Sequence, residues 1–177
     1  MCKDSRSVDL NPTQSILAAI ETVIFLEDKK SIQIETDIDT NIGTVMGDTV
    51  RLQQVIWNLL TNAIKFSEPH SKVIVSAKKV GKELVIKVMD EGKGIAPDYL
   101  PFIFDRFSQE DASSERLHGG LGLGLAIVRN LVELQGSTIT AANLSGKGSF
   151  FTVRMPLTSL VSKNSTLSTK KKEINSG

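Results

Sequence analysis

Four glycines fall within six positions of the stretch HGGLGLGLAIVRNL (residues 118–131), directly before an apolar pattern with helical spacing. A glycine inside a helix costs about 1 kcal/mol relative to alanine, because its backbone loses more freedom on folding. The first N–H groups of a helix have no partner within it, and a ligand approaches them closely where side chains are missing. The run therefore predicts an anion-binding helix N-terminus. Close packing of the helix on a sheet is the alternative.

The run matches neither of two common phosphate-binding glycine motifs. A P-loop would close with Gly-Lys-Ser or Gly-Lys-Thr, and neither this run nor GKGS at 146–149 does so. The dinucleotide-binding fingerprint would need glycine at position 125, where Leu125 stands. An anion site at this place would therefore belong to a different kind of fold.

Hydrophobic periodicity predicts helices and strands in mixed order. A first helix is expected from about Thr13 to Asp28, and a second, amphipathic one from an N-cap at Asp48 to about Phe66. The glycine run leads into a third helix that ends near Leu134. Strands are expected in SIQIETDID, on both sides of Gly81-Lys82, in STITAANL and in GSFFTVRMP. This order predicts an α+β two-layer sandwich, with about three helices covering one face of a mixed, mostly antiparallel sheet.

The composition is typical of one globular domain, with 40% hydrophobic residues, 23% charged residues and a net charge of +1. This charge gives no field that would attract nucleic acid, and no apolar run is long enough to span a bilayer. One cysteine, Cys2, excludes an internal disulfide and favours a reducing, cytoplasmic compartment, even for a membrane-anchored parent protein. We expect an N-terminal linker remnant at 1–12, a folded domain at 13–157 and a flexible Ser/Thr/Lys-rich tail at 158–177.

Three polar residues form a second stripe along the predicted second helix. Asn58, Asn62 and Lys65 are spaced by four and three, which places them on one edge of a helix. Amide oxygens are hard ligands that suit Mg²⁺, an ion that also takes ligands from substrate phosphates. A lysine one turn away could contact the same phosphates. The stripe predicts a magnesium–phosphate site, with a solvated helix edge as the alternative.

The stretch MDEGKGIAP (89–97) places an acid at the end of an apolar strand. A carboxylate there is poorly suited to the core, and the glycines at 92 and 94 would let a ligand approach the backbone. Since a carboxylate accepts hydrogen bonds and an adenine amino group donates them, Asp90 is a candidate for binding adenine. An ordinary glycine-containing turn is the alternative. An EF-hand is excluded, because Gly92 occupies a position that requires a ligating side chain.

Five stretches, in this order, resemble the N, G1, F, G2 and final glycine boxes of the sensor histidine kinase ATP-binding domain. They are NLLTNAIKF, DEGKGI, FIFDRF, GGLGLGLAIV and GKGSFFTVRMP. That domain belongs to an ATPase group shared with type II topoisomerases, the heat-shock chaperone ATPase and mismatch-repair proteins. The resemblance covers about Asp9 to Leu157 and implies a Bergerat-type sandwich with a mobile ATP lid, here within residues 108–120.

The resemblance also implies roles for individual residues. Asn62 resembles the Mg²⁺ ligand, and Asn58 and Lys65 resemble catalytic residues near the γ-phosphate. Asp90 resembles the carboxylate that binds the adenine amino group, and Ser149 the hydroxyl that supports it, often through water. The F box supplies Phe104 and Phe107, both expected to pack the lid on the core. The complete set of implied ATP-binding residues is Asn58, Asn62, Lys65, Phe66, Asp90, Gly92, Gly94, Ile95, Phe107, Gly120, Leu121, Gly122, Leu123, Gly124, Leu125 and Ser149.

The activity implied by the resemblance is that of a protein histidine kinase with ATP and Mg²⁺ as cofactors. The γ-phosphate would go to a histidine on a separate dimerisation domain, and then to the receiver domain of a response regulator. His70 and His118 do not lie where the family places its acceptor, and residues 1–12 lack the acceptor signature. This chain alone is therefore expected to bind Mg-ATP as a monomer without phosphorylating itself, whereas the parent kinase is expected to be a homodimer.

Three other functions share parts of this pattern. Serine/threonine kinases of the anti-sigma type have N and G boxes but generally lack an F box such as FIFDRF. Topoisomerase and chaperone ATPases place a glutamate where Asn58 stands, because they activate water for hydrolysis. A degenerate module that docks without turnover is opposed by the intact boxes. Asn58 thus favours phosphoryl transfer over hydrolysis.

Overall fold

The computed structural model describes residues 8–26, 28–108 and 123–158. Their elements are β1 (Val8–Leu10), α1 (Pro12–Leu26), β2 (Gln33–Ile38), β3 (Val45–Gly47), α2 (Thr49–Phe66), β4 (Lys72–Val80), β5 (Glu83–Asp90), α3 (Gly124–Leu134), β6 (Thr138–Asn143) and β7 (Ser149–Pro156). Short 3-10 helices occupy Asp28–Lys30 and Leu100–Phe102. Within these ranges, no helix combines the length and the apolar composition needed to cross a bilayer. Most of the predicted lid and nearly all of the predicted tail lie outside the described residues.

Five strands form one sheet in the order β2-β4-β5-β7-β6. The pair β2 and β4 is parallel, and the other pairs are antiparallel. The helix α2 packs on β4 and β5 and lies between α1 and α3, while α3 also contacts β6. Among the described residues, three helices thus cover one face of a mixed sheet, which confirms the predicted α+β sandwich. Its core includes seven buried residues of α2: Leu52, Val55, Ile56, Leu59, Leu60, Ala63 and Ile64.

The structure corrects the expected N-terminal boundary of the folded part. Residues 8–10, predicted as part of a linker, form β1 and pair antiparallel with β3. Leu10 is only 5% exposed and Val45 is fully buried, so this small sheet closes one end of the core. Neither strand was predicted, because three residues are too few to show the alternation that marks a strand. The predicted end of the domain at residue 157 stays a prediction.

The N-terminus of α2 is capped by the residue that the sequence predicts. The carboxylate of Asp48 accepts hydrogen bonds from the backbone N–H groups of Val50 (2.8 Å) and Arg51 (3.3 Å). Gln135, beyond the end of α3, accepts a hydrogen bond from the Asp48 backbone N–H through its Oε1 (3.3 Å). The cap therefore fixes where α2 begins and links that point to the end of α3.

The C-terminus of α2 is capped by a lysine from outside the helix. The Lys30 ammonium donates to the carbonyl oxygens of Ile64 (3.0 Å), Lys65 (2.7 Å) and Ser67 (3.0 Å). The last carbonyls of a helix lack partners within it and carry the negative end of its dipole, so a cation is favourable there. Lys30 thereby holds the end of α2 that carries Lys65 and Phe66.

We expect Lys30→Met to lower the free energy of unfolding by about 1–2 kcal/mol, because three carbonyls lose a charged donor at the helix end. For a chain of this length that corresponds to a fall of roughly 2–8 °C in the melting temperature. The measurement is thermal unfolding followed by circular dichroism. Lys29→Met is the matched control, since Lys29 is exposed in the same 3-10 helix. Equal melting temperatures for the two variants would contradict the capping role.

Candidate functional site

Asp90 ends β5, and its carboxylate is buried, with the residue only 4% exposed. Ser149, its partner in register on β7, donates a hydrogen bond from Oγ to Asp90 Oδ2 (2.7 Å). The backbone N–H of Gly92 donates to Asp90 Oδ1 (2.9 Å). A carboxylate accepts about four hydrogen bonds, so each oxygen keeps room for one more donor. The serine contact is direct, whereas the resemblance suggested one that often runs through water.

Gly92 is required by the protein's own backbone. A β carbon at this position would lie 2.5 Å from the carbonyl oxygen of Phe66 and 2.8 Å from Asp90 Oδ1. The sequence suggested that this glycine clears space for a ligand, but the structure fills that space with the end of α2. The loop after β5 is therefore pressed against the last turn of that helix.

The next part of the loop is held by Asn143, a residue that the sequence analysis did not single out. Its Oδ1 accepts from the backbone N–H of Ile95 (2.7 Å), and its Nδ2 donates to the Ile95 carbonyl (2.7 Å). Gly94, with φ of +79°, reverses the chain just before this contact. Asp90 was singled out because it is a polar residue at the end of a predicted strand. The same criterion, applied to β6, could have identified Asn143.

Gly148 precedes Ser149 and lies against the backbone of Asp90. A β carbon there would stand 2.1 Å from the Asp90 carbonyl oxygen, and φ is +107°. Both the contact and the backbone conformation require glycine. The structure thus explains why position 148, the last glycine of GKGS, is glycine, and the explanation does not involve a P-loop.

The polar stripe on α2 lies beside the start of α3. Asn58, Asn62 and Lys65 are all half-buried, and Asn58 Nδ2 donates to the Gln54 carbonyl (3.0 Å). A β carbon on Gly124 would be 3.8 Å from Asn58 Oδ1, so the first residue of α3 faces this asparagine. The Lys65 ammonium lies 5.3 Å from the centre of the Phe66 ring. The fold therefore brings two distant predicted motifs together at Asn58 and Gly124.

Among the described residues, no side chain caps the N-terminus of α3. Leu123 occupies the N-cap position, and the first hydrogen bond within the helix runs from the Ile127 N–H to the Leu123 carbonyl (2.9 Å). The N–H groups of the first turn, which includes Gly124 and Leu125, thus point out of the helix, as the sequence predicts. Gly120, Leu121, Gly122 and His118 lie outside the described residues.

Two of the three F-box phenylalanines, Phe104 and Phe107, differ in their surroundings. The Phe104 ring packs edge-on against the buried Phe151, with 6.1 Å between the ring centres, which agrees with the expected packing on the core. Phe107, for which the same packing was expected, is instead 71% exposed and has φ of +59°, an unusual value for a residue other than glycine. Its place among the nucleotide-binding residues stays a prediction.

The described part of the site lacks the cluster of acidic or histidine side chains that many metal ions need. Among the described residues, no group of three or more His, Cys, Asp or Glu side chains is placed to hold one. The side-chain amide of Asn62 also has no hydrogen-bond partner among the described residues. Its half-buried, hard oxygen fits an ion such as Mg²⁺ that takes its other ligands from phosphates and water.

The length of α2 sets the distance between the two ends of the candidate site. Asn58 faces the start of α3, and Phe66 touches the loop that follows Asp90. Eight residues of helix separate these two points, which is about 12 Å at 1.5 Å per residue. A ligand lying along α2 would find a buried hydrogen-bond acceptor and Lys65 near the Phe66 end, and Asn62, Asn58 and the first amides of α3 toward the other end. This arrangement suits a base followed by a chain of phosphates.

Comparisons with known proteins agree with this geometry. Residues 47–159 match the sequence model of a family described as "Histidine kinase-, DNA gyrase B-, and HSP90-like ATPase". Hybrid signal transduction histidine kinase D of Dictyostelium discoideum is 33% identical over 78% of this chain, and circadian input-output histidine kinase CikA of Synechococcus elongatus is 35% identical over 88%. Sensor histidine kinase ZraS of Escherichia coli is 37% identical over 86%. This chain spans only 11%, 21% and 31% of these three proteins, respectively.

Solved structures give the same result for the fold. The mycobacterial sensor histidine kinase MprB superposes with a TM-score of 0.75 at 25% identity, covering 85% of this chain and 97% of that one. Full-length ShkA in complex with AMPPNP gives a TM-score of 0.74 at 26% identity, covering 88% of this chain and 32% of that one.

Proposed function

The chain belongs to the histidine kinase-, DNA gyrase B- and HSP90-like ATPase family, and we propose that it is the part of a two-component sensor histidine kinase that binds Mg-ATP and donates the γ-phosphate. The accepting histidine would lie on a separate dimerisation domain outside this sequence, and a response regulator would then receive the phosphate. The observation that carries this proposal is the placement along α2 of the buried Asp90 carboxylate, near Phe66, and of the start of α3, beside Asn58.

At the base end, Asp90 would accept a hydrogen bond from the adenine amino group. Ser149 and the Gly92 N–H already hold the two carboxylate oxygens at 2.7 and 2.9 Å, so the acceptor is oriented before the base arrives. When the amino group leaves water and donates to this buried, pre-oriented carboxylate, the hydrogen bond is strong because the acceptor is charged. A guanine would instead present a carbonyl oxygen to the carboxylate, and the two acceptors would repel each other.

At the phosphate end, the chain would hold negative charge in three ways. The uncapped N–H groups at the start of α3 and the positive end of its dipole favour phosphate oxygens. Lys65 would add a full positive charge by reaching toward the phosphates from its place beside Phe66, and the Asn62 amide oxygen would ligate Mg²⁺. The ion, when bound, neutralises charge on the phosphate oxygens. Phosphoryl transfer depends mainly on such positioning and neutralisation.

The acceptor would enter as a neutral imidazole nitrogen and attack the γ-phosphorus in line with the leaving oxygen of ADP. We place the base that removes its proton on the dimerisation domain. Asn58 would orient the γ-phosphate without activating water, since an amide is not a base at neutral pH. The relatives are histidine kinases several times longer than this chain, which supports a partner domain elsewhere in the parent.

The same proposal covers the remaining organisation of the chain. Residues 13–157 would form the catalytic domain, extended in the structure by β1, and residues 158–177 a flexible tail. The fragment would be monomeric and the parent a homodimer joined through the dimerisation domain. The need for ATP and the single cysteine support a cytoplasmic location for this part.

The test is a calorimetric titration of this chain with ADP and with a non-hydrolysable ATP analogue, each with Mg²⁺ and with a chelator. We expect saturable binding of both, and at least a tenfold loss of affinity for the triphosphate on removal of Mg²⁺, because its charge is then less well neutralised. The affinity for ADP should fall less. Absence of binding at millimolar nucleotide would overturn the proposal and favour a module that only docks.

A further inference from the structure

Asn143 links two segments that lie far apart in the chain. It is the last residue of β6, and both polar atoms of its amide bond the backbone of Ile95, each at 2.7 Å. An asparagine can pair with one residue in this way because its amide carries an acceptor and a donor side by side, as a peptide group does. Ile95 follows Gly94, whose positive φ interrupts the extended backbone. The Asn143 side chain thus gives the Ile95 backbone the two hydrogen bonds that a neighbouring strand would otherwise supply.

The position of Asn143 in the sheet relates this contact to Asp90. In register, Asn143 pairs with Ser149 on β7, and Ser149 pairs with Asp90 on β5. The three residues therefore form one row across neighbouring strands, and the sheet fixes the distances between them. Because Asn143 holds Ile95, the row also fixes where the loop lies relative to the Asp90 carboxylate.

We infer that Asn143 is a positioning residue that pre-organises the base-binding loop and so sets the affinity for the adenine part of the nucleotide. The inference rests on the proposed function, in which Asp90 binds the base, and on Ile95 belonging to the ATP-binding residues that the resemblance implies. The base-binding loop is the stretch from Glu91 to Ile95 that follows Asp90. A loop that is already held costs less ordering entropy when a ligand binds. Without the two hydrogen bonds, part of the binding free energy would be spent on fixing the loop.

The effect should be confined to the base end of the proposed site. Asn143 contacts the Gly94–Ile95 loop, whereas the stripe on α2 and the start of α3 meet at Asn58 and Gly124. ADP and the ATP analogue share the same base, so both should lose affinity by the same factor. The dependence on Mg²⁺ should stay as in the unchanged chain.

Two variants separate the two hydrogen bonds. Asn143→Leu removes both, and we expect about a tenfold weaker affinity for ADP and for the ATP analogue, since each neutral hydrogen bond contributes modestly. Asn143→Asp keeps the acceptor for the Ile95 N–H but sets an oxygen against the Ile95 carbonyl, and about a threefold to tenfold loss is expected. Asn130→Leu is the matched control, an exposed asparagine of α3 whose titrations should agree with those of the unchanged chain within twofold.

Amide hydrogen exchange supplies a readout that a general loss of stability would not reproduce. In Asn143→Leu the Ile95 amide should exchange much faster, because its acceptor is gone, while amides in the interiors of β5 and β7 keep their protection. The melting temperature should change little, since Asn143 is exposed. Faster exchange throughout the sheet would assign Asn143 to overall stability and overturn its role as a positioning residue.

The outcomes distinguish this inference from the proposed function. If the unchanged chain binds ADP and the Asn143 variants bind it equally well, the inference is wrong and the proposed function stands. If only the ATP analogue loses affinity, Asn143 acts at the phosphate end and the inference is also wrong. If the unchanged chain binds no nucleotide, both are overturned.

Discussion

Asp90→Ala is expected to weaken the binding of ADP and of the ATP analogue by about 100-fold, the largest loss of affinity that we predict for one substitution. The adenine amino group would lose its charged acceptor, a contribution of about 1.5–3 kcal/mol. The hydroxyl of Ser149 and the N–H of Gly92 would also lose their partner, so the loop after β5 would be held less firmly. Calorimetric titration measures the loss, and circular dichroism checks that the variant is folded.

Two further measurements sharpen this test. Asp98→Ala is the matched control, because Asp98 is an exposed acid eight positions further along the same loop region. Inosine diphosphate carries a carbonyl in place of the amino group, so the unchanged chain should bind it more weakly than ADP. In Asp90→Ala this difference should largely disappear. Undiminished preference for ADP in the variant would show that Asp90 does not bind the base.

Gly148→Ala is expected to cause the largest loss of stability, about 3 kcal/mol or more. The new methyl carbon would meet the Asp90 carbonyl oxygen at 2.1 Å, and the backbone φ of +107° is itself unfavourable for alanine. The β carbon and the backbone carbonyl oxygen are both fixed by the main chain, so β5 and β7 would have to separate locally. A fall in melting temperature on the order of 10 °C would accompany this change. Unfolding by urea measures the free energy directly.

Gly146→Ala separates the contact from the backbone strain. Gly146 has almost the same φ, +109°, but no atom lies within 4 Å of the place where its β carbon would be. We expect this variant to lose only about 1–2 kcal/mol, the part that comes from conformation. It should bind ADP normally, whereas Gly148→Ala should also bind ADP more weakly. Equal destabilisation of the two variants would contradict the importance of the contact with Asp90.

Local signals made some elements predictable from the sequence. The helix α2 combines an N-cap acid at Asp48 with a regular apolar stripe, and the structure places both as predicted. The hairpin of β4 and β5 turns at Gly81, whose φ of +61° suits glycine. Each of these features depends on residues a few positions apart, and short-range physics decides them. The same holds for Gly124, the last glycine of the run, which begins α3.

Long-range contacts could not be predicted in this way. The partner of Asn143 lies 48 positions away, and that of Ser149 lies 59 positions away, so no local pattern announces either contact. Asp90 and Ser149 were connected only through the resemblance to a known family. The sequence indicated that Gly92 allows a close approach to the backbone, but it did not identify the approaching atom. That atom is the Phe66 carbonyl oxygen, and its position depends on how α2 meets the loop.

The strand order has a consequence for synthesis of the protein. The strand β7 is the last that the structure describes along the chain, yet it lies between β5 and β6 in the sheet. A growing chain on the ribosome therefore cannot complete this sheet until Ser149–Pro156 has emerged and inserted between strands made earlier. The Asp90 carboxylate gains its serine partner only at that moment. Nucleotide affinity would thus appear late and abruptly, as a property of the finished domain.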